Sequence, residues 1–319
     1  MLRRFGLSQA GVAPCEDNAQ AVWFDLYNPT PEEDREIELA LGISVPTRED
    51  MDEIQISNRL YHEDGVTYAT ASIVVGTTAG TPVLEPLTLI LFSGRLVTVR
   101  YTEPKPIAQF LERASKPGNS MLGTTAILTE MMEGLVNRAS DNLGDAIADL
   151  DRMARDVFDP RQKVGAISPL RMKVMLKRLG QIGDLLSKLR DSLVSLRRLF
   201  NFLAADYTMP EMAMVRIQLQ TLALDAEALI DHATFASQRI NLLVDAALGL
   251  IGVEQNAIIK IFSVASVVFL PPTLIASIYG MNFDVMPELH WTFGYPMALG
   301  AMVASAVLPY LFFKYKGWL

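Results

Sequence analysis

Two stretches of 23 residues near the end of the chain, 261–283 and 291–313, contain no Asp, Glu, Lys or Arg. Crossing the hydrocarbon core of a bilayer takes about 20 apolar residues in a helix. Both runs are long enough, and both are more uniformly apolar than a core helix needs to be. The chain has 319 residues, is 50% hydrophobic, and yet is 20% charged. Those figures fit if the apolar residues are concentrated, and the two runs are where they concentrate. The sequence therefore reads as a water-soluble part followed by two membrane-spanning helices.

Charge sets the expected orientation. Lys260 precedes the first run, and Lys314 and Lys316 follow the second. The connector between the runs carries Asp284 and Glu288 and no base. Lys and Arg favour the cytoplasmic side, so both termini are expected inside and the connector outside. The start, "MLRRFGLSQAG", has no apolar run behind its arginines and does not read as a secretory signal. One cysteine, Cys15, excludes a disulfide framework. His62, His232 and His290 lie far apart and show no ligand spacing. With two spans per chain, a monomer cannot enclose a path, so transport requires a homo-oligomer.

The region 1–117 reads as a cytoplasmic α/β domain. "AVWFDLYNPT" (21–30) alternates like a strand and runs into a helix with Thr30 as N-cap, Pro31 in the first turn and Glu33 completing a capping box. The stretches 66–75, 86–92 and 95–101 are β-rich, with Ser93-Gly94 as a tight turn between the last two. "PIAQFLERAS" reads as a helix. No glycine-rich phosphate loop, nucleophile elbow or helical zinc-ligand pair is present, so neither an enzyme nor an organic cofactor is expected. Nothing points to nucleic acid as a partner; membrane lipid is the expected surround.

A helical hairpin is expected over 118–207. Its first helix carries Leu128, Met132, Leu135, Ala139, Leu143, Ile147, Leu150 and Val157 on one side, with Asp141, Asp145 and Asp149 on the other. "DPRQKVGAISP" (159–169) interrupts the pattern. The second helix carries the seam Ile182, Leu186, Leu189, Leu193, Leu196, Phe200 and Leu203, with Arg171, Lys173, Lys177, Arg178, Arg197 and Arg198 outside it. An acidic helix beside a basic one suggests complementary faces; two solvated faces that never meet fit the pattern equally well. A stalk helix continuing into the first span is expected over 208–283, bent at Pro271-Pro272. An external loop (284–294), a second span (295–313) and a basic tail (314–319) complete the organisation.

On a helical wheel Asp245, Gly252, Asn256, Ile259, Ser263, Ser266, Leu270, Thr273 and Ser277 share a sector about 100° wide. The opposite face carries Ile261, Val264, Val268 and Ile275. Polar side chains in a span face protein or water. Hydrogen bonding between helices is one reading; copies of this helix around an aqueous path is the sharper one. Asp245 would attract cations at the entrance, and Ile259 and Leu270 would form apolar constrictions.

The connector opens with "YGMN" (279–282) and continues with "MPEL" (286–289). With two C-terminal spans, an acidic loop and the tail "KYKGWL", this resembles the CorA family of magnesium and cobalt transporters. The resemblance implies an α+β membrane protein forming a homopentameric funnel. It implies a pore lined by the first span, with Asn256, Ile259, Leu270 and Thr273 at pore positions. Gly280, Met281 and Asn282 would form the selectivity filter, with Asn282 meeting the hydrated ion. It further implies Mg2+ as both cargo and cytoplasmic regulator. One carboxylate of the family's sensor aligns with Thr221, and Asp225 or Asp231 is expected to substitute. Two other functions stay open at this point: a zinc transporter of a related two-span branch, and a non-conducting membrane-tethered sensor.

Overall fold

A computed structural model describes all residues except 9–10, 54, 56–57, 115–122, 159–168, 207–211, 283–285 and 318–319. The chain divides into two compact units. The first comprises Met1–Phe158 and Met175–Leu243, the second Asp159–Val174 and Val244–Leu319.

The first unit contains a seven-stranded sheet. In chain order its strands are β1 (Leu2–Ser8), β2 (Gly11–Pro14), β3 (Ala21–Tyr27), β4 (Leu60–Glu63), β5 (Val66–Val75), β6 (Val83–Phe92) and β7 (Arg95–Arg100). Their spatial order is β2-β1-β3-β7-β6-β5-β4. Only the β3–β7 pair is parallel. Helices α1 (Pro31–Leu41) and α2 (Arg48–Asp52) supply the crossover after β3. The expected capping box is present: Glu33 N donates to Thr30 Oγ1 and Thr30 N donates to Glu33 Oε2. Glu33 also takes Leu2 N (2.9 Å) and the N-terminal ammonium (2.6 Å), so one carboxylate ties the chain start to α1. Ser93 and Gly94 have φ of 44° and 71°. Left-handed backbone at both central residues matches the twist of the hairpin they close, and only a residue without Cβ adopts it freely.

One side of the sheet buries Phe24, Leu26, Ile37, Ile90, Val97 and Val99 in a common cluster. Elsewhere Trp23 stacks on Phe5, with centroids 4.6 Å apart, and meets Phe110 of α3 (Lys105–Ala114) edge-on at 5.7 Å. Beside it lies a fully buried ion pair. Arg100 Nε and Nη2 each donate to Asp25 at 2.9 Å, and Nη1 donates to Thr102 O. Burying two charges is costly unless every polar atom is satisfied. Thr98 Oγ1 donates to the same carboxylate, and Tyr27 stacks under the guanidinium.

The helices α4 (Thr124–Phe158) and α5 (Pro169–Ala204) bear out the hairpin periodicity. Every residue of the α5 seam is buried. On α4, Ile147 is only half-buried, whereas Ala146 and Asn142 are buried. The two charged helices do meet. Arg178 donates to Asp149 at 2.6 Å, and Arg152 donates to the other oxygen of that carboxylate. Burial alone would raise the pKa of Asp149; these hydrogen bonds outweigh it and hold the value low. Helix α6 (Met212–Tyr279) is a single element that passes through Pro271 and Pro272. Within the first unit it packs through Val215, Leu219, Leu222, Ala226, Ala233, Ala236, Ile240 and Leu243. It pairs through Glu227 with Arg197 (3.0 Å) and through Arg239 with Asp151. The segment 159–168, where the sequence predicts a break, lies outside the described residues.

In the second unit, α6 carries the first uncharged run and α7 (Gly294–Tyr315) the second. Both are long and apolar enough to cross a membrane. Lys260 Nζ donates to Gly317 O at 3.4 Å, and the connector joins the other ends, so the two spans run antiparallel. Within that connector Pro287–His290 forms a single 3-10 turn. Helix α7 extends slightly beyond the stretch 295–313 that the sequence predicts to span.

Candidate ion path and cation sites

Helix α6 has two kinds of face. Residues packed on their own chain recur at spacings of three and four on one side. A second seam with the same spacing is left open. In the first unit this seam is Ile217, Thr221, Leu224, Ala228, Asp231, Phe235, Gln238 and Leu242, all exposed. In the second unit the spacing continues without interruption through Asp245, Gly249, Gly252, Asn256, Ile259, Ser263, Ser266, Leu270, Thr273 and Ser277. All of these are exposed except the half-buried Gly252. The wheel found only the second portion. The first could have been found by extending the three-four count backward, since Ile217 lies four heptads before Asp245. An unbroken seven-residue repeat is the pattern that lets parallel helices wind around one another with a left-handed supercoil.

Exposure alone does not separate a pore face from a lipid face, because Ile261 (67%), Phe262 (70%) and Phe269 (70%) are exposed too. Polarity does separate them. The open seam bears Asn256, Ser263, Ser266, Thr273 and Ser277, whereas those three residues are purely apolar. Val264, on the face opposite the seam, is buried. The hydroxyls are also oriented. Ser266 Oγ donates to Phe262 O at 2.9 Å, and Thr273 Oγ1 donates to Phe269 O at 2.8 Å. With the proton tied to the backbone one turn earlier, each oxygen offers only lone pairs outward. That is the polarity a cation, or the water hydrogens around one, requires.

Gly280 terminates the helix. Its N–H bonds Ala276 O at 2.9 Å, and Met281 N bonds Ile278 O at 3.3 Å. Its backbone is not left-handed. The constraint is space: a Cβ there would lie 3.0 Å from Ala276 O. Met281 and Asn282 follow, exposed and outside the helix. Asp284 lies outside the described residues, as does the side chain of Glu288, whose backbone is in the 3-10 turn.

The two substitutes for the cytoplasmic sensor are separated. Asp225 lines an open groove of about 880 Å³ between α4 and α6, with Glu130, Glu133, Thr129, Asn137 and Thr221. Asp231 is exposed elsewhere on α6. The two glutamates were missed because nothing in the sequence places α4 beside α6 at that level. Among the described residues no three His, Cys, Asp or Glu side chains stand close enough to hold a metal. Within one chain, among the described residues, the groove presents carboxylates and amide side chains without a closed set of metal ligands.

A family model described as "CorA-like Mg2+ transporter protein" matches residues 18–315. The chain belongs to the CorA family. It is 33% identical over 324 residues to the magnesium transport protein CorA of Pasteurella multocida, covering 100% of both chains. It is 33% identical over 315 residues to that of Escherichia coli strain K12, covering 98% of this chain and 96% of the other. Among solved structures, the complete CorA magnesium transporter from Methanocaldococcus jannaschii superposes with a TM-score of 0.78 at 19% identity. It covers 100% of this chain and 99% of that one. The ZntB cytoplasmic domain from Vibrio parahaemolyticus has a TM-score of 0.56 at 13% identity and covers 77% of this chain and 96% of that one. The CorA fold thus accounts for the whole chain, sheet, hairpin and spans together.

Proposed function

We propose that this chain assembles as a homopentamer in a bacterial inner membrane, with both termini cytoplasmic, and conducts Mg2+ inward. Co2+ and Ni2+ would be accepted as similar divalent cargo. The observation that carries this reading is the open seam of α6, whose oxygen-bearing portion falls within the apolar run of a CorA-family chain. The full-length relatives named as magnesium transport proteins support the choice of ion.

Mg2+ prefers octahedral oxygen coordination and gives up its waters reluctantly. A ring of Asn282 amide oxygens would accept hydrogen bonds from those waters without stripping them. Neutral amides hold the ion weakly enough for it to leave. Met281 and Gly280 position that ring, while Asp284 and Glu288 raise the local cation concentration. Further in, Thr273, Ser266, Ser263 and Asn256 supply acceptor rungs, with Ser277 above them. Leu270 and Ile259 supply constrictions that close by dewetting. Asp245 draws the ion out on the cytoplasmic side. A divalent ion gains about 4.6 kcal/mol per 100 mV of inside-negative potential, so no further energy source is required. Zn2+ favours nitrogen and sulfur ligands, and the seam within the span offers neither.

Cytoplasmic Mg2+ would close the pore by bridging neighbouring subunits. Asp225, with Glu130 and Glu133 in its groove, is the better-supported sensor site, and Asp231 the lesser one. The test is flux of Mg2+, Co2+, Ni2+ and Zn2+ into liposomes holding the purified full-length protein. Mg2+ entry should be driven by membrane potential and fall at least tenfold in Asn282→Ala. Zinc entry in preference to magnesium, or unchanged flux in the variant, would refute the reading.

A further inference from the structure

A cavity in the first unit, lined by residues outside the seam of α6, holds an unexplained set of donors. It has a volume of about 290 Å³ and lies between the sheet and α5, lined by Arg59, Thr70, Ser72, Ser195 and Arg198 among others. Arg59 Nη2 donates to Ser72 Oγ at 2.8 Å, but its buried Nε has no acceptor. A buried unsatisfied donor on a charged group is costly, and folded proteins rarely retain one without a purpose. Burial pulls the Arg59 pKa below the usual guanidinium value. Neither Arg59 nor Arg198 has a carboxylate within ion-pair distance among the described residues.

The hydroxyls continue the pattern. Ser72 Oγ accepts from Arg59, and Ser195 Oγ accepts from Ser72 N at 3.0 Å. Each therefore spends a lone pair and keeps its O–H to donate. Two guanidinium groups and two free hydroxyl donors facing one space form a donor-rich set suited to an oxyanion. Two carboxylates, Asp52 and Asp191, also line the cavity. Both are exposed; Asp52 stands 4.0 Å from Arg48, and its charge also acts on Arg59.

We propose that this cavity is a binding site for a small phosphate-type anion, gripped between Arg59 and Arg198 and capped by the Ser72 and Ser195 hydroxyls. The ligand would tie strand β5 to α5. The site is independent of the transport reading, because none of these residues belongs to the seam or the filter.

The test uses full-length protein in detergent with EDTA present, so that no magnesium phosphate forms. Thermal unfolding is followed while inorganic phosphate replaces chloride at constant ionic strength. Phosphate should raise the melting temperature of the wild type, with a binding curve weakened at least tenfold in Arg59→Lys and in Arg198→Gln. Arg198 is exposed, so its variant should melt like the wild type without phosphate. Asp191→Asn should tighten binding by removing a repelling charge. No phosphate-dependent shift in the wild type, or the same shift in both arginine variants, would overturn the proposal.

Discussion

At the scale of single residues, the fold rests on groups whose partners lie far away in sequence. Asp25 and Arg100 are 75 positions apart, wholly buried, and joined by two hydrogen bonds. Arg100→Met should cost about 3–5 kcal/mol, because it leaves a buried carboxylate without its counter-charge. Chemical denaturation of the full chain in detergent measures the loss, and a cost below about 1 kcal/mol would contradict it. Asp149 makes a gentler prediction. Its folded pKa lies below the ordinary 3.8, so its contribution is present above that value and disappears as pH falls through the folded one. Arg178 is 54% exposed, which limits the pair to about 1 kcal/mol or less. Arg178→Gln should therefore lower the melting temperature slightly at pH 6 and have less effect near pH 3. A larger effect at pH 3 would reverse the sign.

Elements differ in how plainly the sequence announces them. The capping box at Thr30 and Glu33, the turn at Ser93-Gly94 and the seam of α5 are local patterns, and each is visible in a short window. Strands β1 and β4 are not. "LRRFGLS" shows no clean alternation and "LYHE" is four residues of mixed character; each becomes a strand because a neighbour supplies the ladder. The groove of Asp225 was hidden for the same reason, since its glutamates come from another helix. Within α6, the polar half of the open seam is legible because polar residues stand out against an apolar run. Its apolar half, Ile217, Leu224, Phe235 and Leu242, merges with an ordinary amphipathic pattern. That half predicts an interface. Burying a leucine or phenylalanine side chain contributes roughly 1.5–3 kcal/mol. Leu224→Glu combined with Phe235→Glu should break the oligomer seen by native mass spectrometry. Leu39→Glu should not, although Leu39 is 88% exposed on α1. Equal behaviour of the two variants would remove the seam from the interface.

For the whole molecule, the proposed function gives one helix face two jobs, holding copies together in one unit and offering oxygen atoms to a passing cation in the other. Family membership establishes the kind of protein, and thiol accessibility reports the position of a side chain around the axis. In a Cys15→Ser background, single cysteines at Thr273 and at Ile261 place a thiol on the open seam and on the opposite face. Mg2+ entry into liposomes is then followed as a charged, water-soluble methanethiosulfonate reagent is added. Thr273→Cys should lose most of its flux on modification while Ile261→Cys keeps it. Block through position 261 with position 273 unaffected would contradict the proposed function.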